Sequence, residues 1–314
     1  MTVTVTAVAN GQNSKLSKLS LDIPKTIEDL KQFIRTEVDN FHRDGVVIGI
    51  SGGIDSAVCA YLSVGALGKE KVFGLILPER DTDPKSVKDA VLICKELGIE
   101  HKKMNMTGVL AEIGIYRLVP FGWLIPYRFK EKYGRGRFRK LQDLVKDKIY
   151  GQNLLGFREN EMRKATVYYR TKNRLRLLYL YYYAELKNLL VVGTANRTEY
   201  LIGFFVKYGD GAADIMPLLN LYKTQVWELA KFLGIPKRII DKPPTPDLIP
   251  GLNDEEIIGL KYTELDLILS GYDSCLSAEG ITKTTGLSFE KVKYALELIK
   301  NSESLREHNL CINQ

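Results

Sequence analysis

Val46-Val47-Ile48-Gly49-Ile50-Ser51-Gly52-Gly53-Ile54-Asp55-Ser56 is the stretch that decides the fold. Val46 to Ile50 is a short, continuous apolar run, the pattern of a strand buried on both faces. A glycine-rich turn follows. Ala57 to Leu67 then reads as a helix, ended by Gly68. Strand, glycine turn and helix in that order form the opening of a parallel α/β unit.

The same alternation continues outward. Val72 to Leu77 is a second buried strand stopped by Pro78, and Pro84 to Leu97 is a helix ended by Gly98. Ile99 to Met106 is a weaker third strand. Upstream, Ile27, Leu30, Ile34 and Val38 recur at spacings of three or four, which predicts a helix over 26–41. Downstream, Asn173 to Lys187 is a long helix and Leu189 to Val192 another buried strand. Lys223 to Leu233, Asp254 to Ser270 and Ser288 to Ser302 read as later helices. Right-handed crossovers between such strands give an open, doubly wound parallel sheet with helices on both faces. The nucleotide site of such a sheet lies at the carboxyl ends of its strands, with those at 46–50, 72–77 and 189–192 beside it. Residues 1–20 are polar and read as a loose arm. We expect one domain over 1–314, interrupted by an insertion at 107–172. That insertion holds Pro120, Pro126 and the run Gly-Arg-Gly-Arg-Phe-Arg-Lys over 134–140. A structureless stretch of that length is unusual, so helices, one of them over Leu141 to Ile149, or partial disorder are expected there.

Composition removes several function classes. The chain has 314 residues, 45% apolar and 10% aromatic, which excludes disorder. Its four cysteines (Cys59, Cys94, Cys275, Cys311) make no C-x-x-C pair, so zinc ribbons and thioredoxin-like motifs are out. With three histidines and no H-E-x-x-H, a His-rich metal site is not expected. No apolar run approaches the roughly 18 residues of a membrane span. Nor does Met1 to Ser20 carry a basic start and an apolar core, so a cytoplasmic protein is expected. The net charge of +7 is unevenly placed: Tyr116 to Lys172 holds 15 Lys and Arg against 5 Asp and Glu. A basic segment of this kind is a solvated face, or a contact for anions or nucleic acid.

The loop itself carries chemistry. Its glycines let backbone N–H groups approach phosphate oxygens, and the helix start adds unpaired donors and positive potential. Ser51 and Ser56 add hydroxyls. Asp55 disfavours bare phosphate, which points it at Mg²⁺. The spacing is not that of the G-x-x-x-x-G-K-[ST] loop.

Ser51-Gly52-Gly53-Ile54-Asp55-Ser56 resembles the signature of the N-type ATP pyrophosphatases, the PP-loop superfamily, whose adenine nucleotide alpha hydrolase-like sheet is the architecture described above. Further blocks narrow the resemblance. They are V-V-G-T-A-N-R-T-E at Val191 to Glu199, G-F-F-V-K-Y-G-D-G-A-A-D-I-M-P at Gly203 to Pro217, Lys223 with Gln225, and K-P-P-T-P-D-L at Lys242 to Leu248. Gly251, Asp254-Glu255, Gly259 and Tyr262 follow. In this order and spacing they resemble the ammonia-dependent NAD synthetases, over roughly residues 25–106 and 173–270. The resemblance implies an ATP phosphate loop formed by Gly49, Ile50, Ser51, Gly52, Gly53, Ile54, Asp55 and Ser56. It implies further ATP contacts from Thr194, Lys223 and Thr245, with Mg²⁺ held by Asp55 and Glu199. It places Arg174, Lys207, Asp214 and His308 on nicotinic acid adenine dinucleotide, and a homodimer around that dinucleotide. Three features depart from the family pattern. Tyr169, Arg170 and Asn173 stand where Gly-Asn and Ala are usual; the insertion is long; and Asn309 and Leu310 replace two basic residues after His308.

The implied reaction adenylates the substrate carboxylate and then displaces AMP with ammonia. Asp55 and Lys223 would neutralise charge, the first through Mg²⁺, and Asp214 would orient ammonia or take its proton. A glutaminase would require its own nucleophilic Cys and many more residues, so free ammonia or a partner protein is expected to supply nitrogen. Two alternatives stay open: a ligase acting on another carboxylate, and an RNA-modifying PP-loop enzyme using the basic insertion. The missing C-x-x-C and the missing RNA-recognition motifs argue against a nucleic-acid partner.

Overall fold

β1 (Gly45–Gly49), β2 (Val72–Ile76), β3 (Glu100–Lys103) and β4 (Leu189–Val192) form one parallel sheet of order β3-β2-β1-β4. The computed structural model describes residues 19–118, 127–145, 150, 160–245 and 251–306. Strand pleating sends alternate residues to opposite faces. Val46, Ile48, Val72, Ile76, Leu190 and Val192 join the apolar cluster on one face, while Val47, Phe73, Leu75, Leu189 and Val191 join that on the other. All are buried. Two-sided burial explains why these strands read as continuous apolar runs rather than as alternation.

The first face is covered by α1 (Ile23–Asn40), α2 (Ile54–Leu67) and α3 (Pro84–Leu97). Asp22 and Asp83 cap α1 and α3, each followed by proline in the first turn. α2 connects β1 to β2, and α3 connects β2 to β3. The chain then returns past β1 to place β4 on its other side, so the strand order reverses at β1. In an open parallel sheet that reversal leaves a crevice beyond the carboxyl ends of the two diverging strands. Ser51 to Ser56 and Gly193-Thr194 occupy it. β3 differs from its expected form: it covers only Glu100–Lys103 and is exposed throughout. As an edge strand of charged residues, it resists pairing with other chains.

In the insertion, α4 (Thr107–Glu112) is followed by α5 (Tyr127–Val145). The glycines and arginines of 134–140 therefore lie inside a helix, as do the first five residues of the helix expected over 141–149; residues 146–149 lie outside the described set. Glycine disfavours a helix interior by about 0.5–1 kcal/mol relative to alanine, so tertiary contacts override local preference here. α6 (Asn160–Lys187) is 28 residues long, beginning well before the expected Asn173. Its buried positions among the described residues are Ala165, Tyr168, Lys172, Asn173, Leu175, Tyr183 and Ala184. The spacing is helical, but the lysine within the stripe hides its apolar continuity.

The helix expected over Asp254 to Ser270 is two helices, Asp254–Ile258 and Tyr262–Asp273, parted by Gly259 in the left-handed region. With Phe289–Asn301 they build a third apolar cluster around Tyr222, Tyr262, Leu265 and Val292.

Candidate active site

Loop 51–56 is held together by its own hydroxyls. Ser56 Oγ accepts the Ser51 N–H at 3.3 Å and donates to the Gly53 carbonyl at 3.0 Å; Ser51 Oγ accepts the Gly53 N–H at 3.2 Å. Gly52 has φ +80°, and a Cβ there would lie 2.2 Å from the Ser86 carbonyl oxygen, so α3 packs against the loop closely enough to require glycine. The Lys242 ammonium closes this contact. It donates to the Gly52 carbonyl at 3.3 Å, Ser86 Oγ at 2.8 Å and Asp89 Oδ2 at 3.4 Å.

Lys223 lies at the first residue of helix Lys223–Phe232 and is buried. Thr198 Oγ1 accepts its N–H at 3.0 Å, and Asp266 Oδ2 accepts the next N–H, that of Thr224, at 2.8 Å. The Lys223 ammonium reaches Asp55 Oδ2 at 2.5 Å and Glu199 Oε1 at 3.3 Å. Asn196 caps the helix Arg197–Ile202, with Glu199 completing a capping box, and its amide donates to Asp55 Oδ1 at 3.0 Å. Asp254 joins behind: Tyr262 donates to its Oδ2 at 3.0 Å, and its buried Oδ1 has no hydrogen-bond partner among the described residues.

Three carboxylates so close to one ammonium leave the cluster electron-rich. Burial pushes the Glu199 carboxyl up to about 8, opposed by Lys223 and reinforced by Asp55 and Asp254. Burial likewise raises Asp254 to about 6, against Lys223 and the Tyr262 hydroxyl. Lys223 is itself raised: burial opposes its charge, and the pull of Asp55 and Glu199 exceeds that opposition. A cation fits this place, because Lys223 already bridges two carboxylates there and an acceptor of Asp254 is unpaired. Among the described residues no three His, Cys, Asp or Glu side chains are grouped to hold a metal alone. Asp55 and Glu199 would serve Mg²⁺, which takes one or two carboxylates and completes its shell with phosphate oxygens and water.

A cavity of about 440 Å³ opens in front of the loop. Gly49, Ile50, Ser51, Gly53, Ile54, Asp55, Ser56, Thr194, Glu199, Lys223 and Thr245 all line it, together with Tyr133, Phe138 and Tyr168 of the insertion. Gly52 does not line it and faces α3 instead. Arg174, Lys207 and Asp214 stand apart from the cavity. Arg174 is exposed, and its Nε donates to the Lys207 carbonyl at 3.3 Å; Lys207 Nζ donates to the Ser304 carbonyl at 3.2 Å. Asp214 accepts the Tyr181 hydroxyl at 3.0 Å and the Val191 N–H at 2.8 Å. His308 lies outside the described residues.

Sequence reasoning quoted Asn196, Lys242 and Asp254 within longer blocks but gave them no role. The spacing Asn196-x-x-Glu199 is a capping-box signal. It could have placed both side chains at one helix start, facing Asp55.

A second charged cluster follows β2. Asp81 is nearly inaccessible and takes Arg80 through two bonds of 3.0 Å, Lys130 at 3.0 Å, Lys172 at 3.5 Å and the Tyr168 hydroxyl. Lys172 also reaches Glu79 at 2.8 Å, whose other oxygen accepts Tyr116 at 2.9 Å.

A parallel sheet opening onto a serine- and glycine-rich loop, backed by paired carboxylates and a buried lysine, defines an α/β protein of the PP-loop class. The NAD synthase family profile matches residues 26–114 and 144–309. The NH(3)-dependent NAD(+) synthetase of Thermotoga maritima is 45% identical over 271 residues, covering 86% of this chain and 94% of that protein. That of Methanocaldococcus jannaschii is 40% identical over 280 residues, covering 89% and 93%. Among solved structures, NMN synthetase from Francisella tularensis superposes with a TM-score of 0.71 at 29% identity, covering 94% of this chain and 100% of that one. The NH3-dependent NAD synthetase from Campylobacter jejuni does so at 0.66 and 25%, covering 93% and 100%. The chain belongs to the NAD synthase family. Among the described residues, no helix is long and apolar enough to cross a membrane.

Proposed function

We propose that the chain amidates nicotinic acid adenine dinucleotide to NAD, using ATP and ammonia. A carboxylate oxygen of the acid attacks the α-phosphorus of ATP and pyrophosphate leaves. Ammonia then attacks the acyl carbon of the acyl-adenylate, the bond to the phosphate oxygen breaks, and AMP leaves with its electron pair. The observation that carries this reading is Lys223 between Asp55 and Glu199 at the phosphate loop. The backbone N–H groups of Ile54, Asp55 and Ser56 at the start of α2 bind phosphate, and Thr194 and Thr245 hold the nucleotide. Lys223 turns from its carboxylates to the charge developing on the departing pyrophosphate. Asp55 and Glu199 would hold Mg²⁺, which when bound supplies charge neutralisation. No protein nucleophile is required. Burial raises the Cys59 and Cys94 thiols, which keeps them inert.

Arg174, Lys207, Asp214 and His308 are assigned to the dinucleotide. Because Arg174 and Asp214 are exposed and outside the ATP cavity, we assign that substrate to an interface with a second copy of the chain. The exposed Leu178, Tyr182 and Leu186 on α6 support a homodimer through this surface. Asp214 already holds Tyr181 and a backbone N–H, which favours positioning over proton transfer.

The test is incubation with ATP, Mg²⁺, ammonium and nicotinic acid adenine dinucleotide, beside the same mixture with nicotinic acid mononucleotide. NAD, AMP and pyrophosphate should form from the dinucleotide. Amidation of the mononucleotide alone would replace this substrate with the smaller acid, and no amide from either would sink the reading.

A further inference from the structure

The family profile breaks off at residue 114 and resumes at 144, so α5 lies almost wholly outside it. Yet α5 is fixed at both sides of the cavity. On one side Lys130, 4% exposed, donates to Asp81 Oδ1 at 3.0 Å and to the Arg80 carbonyl at 2.9 Å, just beyond the carboxyl end of β2. On the other, Glu131 presses on Gly251, where φ is +84° and an added Cβ would lie 2.9 Å from Glu131 Cβ and 3.1 Å from its Cα. Arg135 reaches Glu256 at 3.5 Å, beside the cavity-lining Asp254. Between these anchors Tyr133, Gly134 and Phe138 line the same cavity as the phosphate loop. Phe138 is buried at 8% exposure and belongs to none of the three apolar clusters formed among the described residues.

An acyl-adenylate can be lost to water. The water oxygen attacks the acyl carbon, the acyl–phosphate oxygen bond breaks, AMP leaves with the electron pair, and a proton passes to solvent. The acid is regenerated and one ATP is consumed without amide. A closed, apolar-walled chamber protects such an intermediate.

We propose that α5 is the roof of the adenylation chamber, with Phe138 excluding water and Lys130 as the positioning residue that holds the helix in place. This rests on the two-step reading above. Lys130 suits a selective test because Asp81 keeps Arg80, Lys172 and Tyr168 when it is removed, so the buried carboxylate is not orphaned.

The experiment compares wild type, Lys130→Met and Phe138→Ala with saturating ATP, Mg²⁺ and nicotinic acid adenine dinucleotide across an ammonium titration. Pyrophosphate released per NAD formed is the readout, beside a thermal melt. Wild type should give one pyrophosphate per NAD. At low ammonium the variants should rise roughly twofold or more above that ratio, and return toward it as ammonium outcompetes water. A helix that only stabilises the fold would lower melting temperature or turnover and leave the ratio at one. A ratio of one in both folded variants, with wild type still producing NAD, overturns the roof and spares the function. Wild type that makes no NAD from this acid overturns the function itself.

Discussion

Asp55 and Glu199 meet one ammonium, and their substitution separates chemistry from folding. Asp55→Asn and Glu199→Gln should each lower kcat by about 100-fold or more if the two hold Mg²⁺ as proposed, since an amide loses both the charge and the ligand. Melting temperature should change little, because both side chains are partly open to the cavity. Turnover within tenfold of wild type across a Mg²⁺ titration would refute the metal role. The raised Glu199 adds a pH signature. An unfolded chain loses that proton above 4.5, whereas the fold keeps it up to about 8. Without ligand, this group therefore lowers stability as pH rises through that window. A cation needs the deprotonated form, so the Mg²⁺ requirement for turnover should fall toward pH 8 and level off above it. In Glu199→Gln that slope should vanish from a plot of apparent KM for Mg²⁺ against pH. The loop and Glu199 were legible because glycine, serine and acid sit in fixed spacing. Lys242 and Asp254 were not, because what makes them matter is a Gly52 carbonyl and a Tyr262 hydroxyl brought from 190 and 8 residues away.

Elements tell a similar story. Buried strands announce themselves as apolar runs, and β1, β2 and β4 are where the sequence puts them. α6 was foreshortened because Lys172 interrupts its apolar stripe, and α5 was obscured by two glycines and a run of arginines. Both are determined by partners remote in sequence, Glu79 and Asp81 above all. Removing Lys172 leaves the buried Glu79 carboxylate with the Tyr116 hydroxyl alone among the described residues. Lys172→Met should therefore cost about 3–5 kcal/mol in urea denaturation, the range for breaking a buried pair by deleting one partner. A loss under 1 kcal/mol would show that the network is incidental to how α6 seats.

The whole molecule presents an exposed apolar stripe on α6 beside the Arg174 and Lys207 surface. If two copies meet there, Leu178→Glu with Leu186→Glu should halve the mass seen by light scattering. The same change should raise KM for the dinucleotide at least about tenfold, the effect of losing roughly 1.4 kcal/mol of binding, while KM for ATP stays within twofold. An unchanged dimer would move the interface elsewhere. Only the resemblance to NAD synthetases implies such a dimer, since no periodicity distinguishes tyrosines that pack inward from those that face a second chain. The ionic knot at Asp81 also gives the molecule a thermal character. Dehydrating ions becomes less unfavourable on heating, because ion hydration loses strength as temperature rises, whereas the gain from burying each unit of apolar area plateaus. A helix seated by a buried ammonium is thus held relatively better in hot water than one seated by aliphatic packing, and the Lys130 end of α5 should be among the last parts of the chamber to loosen as the protein warms.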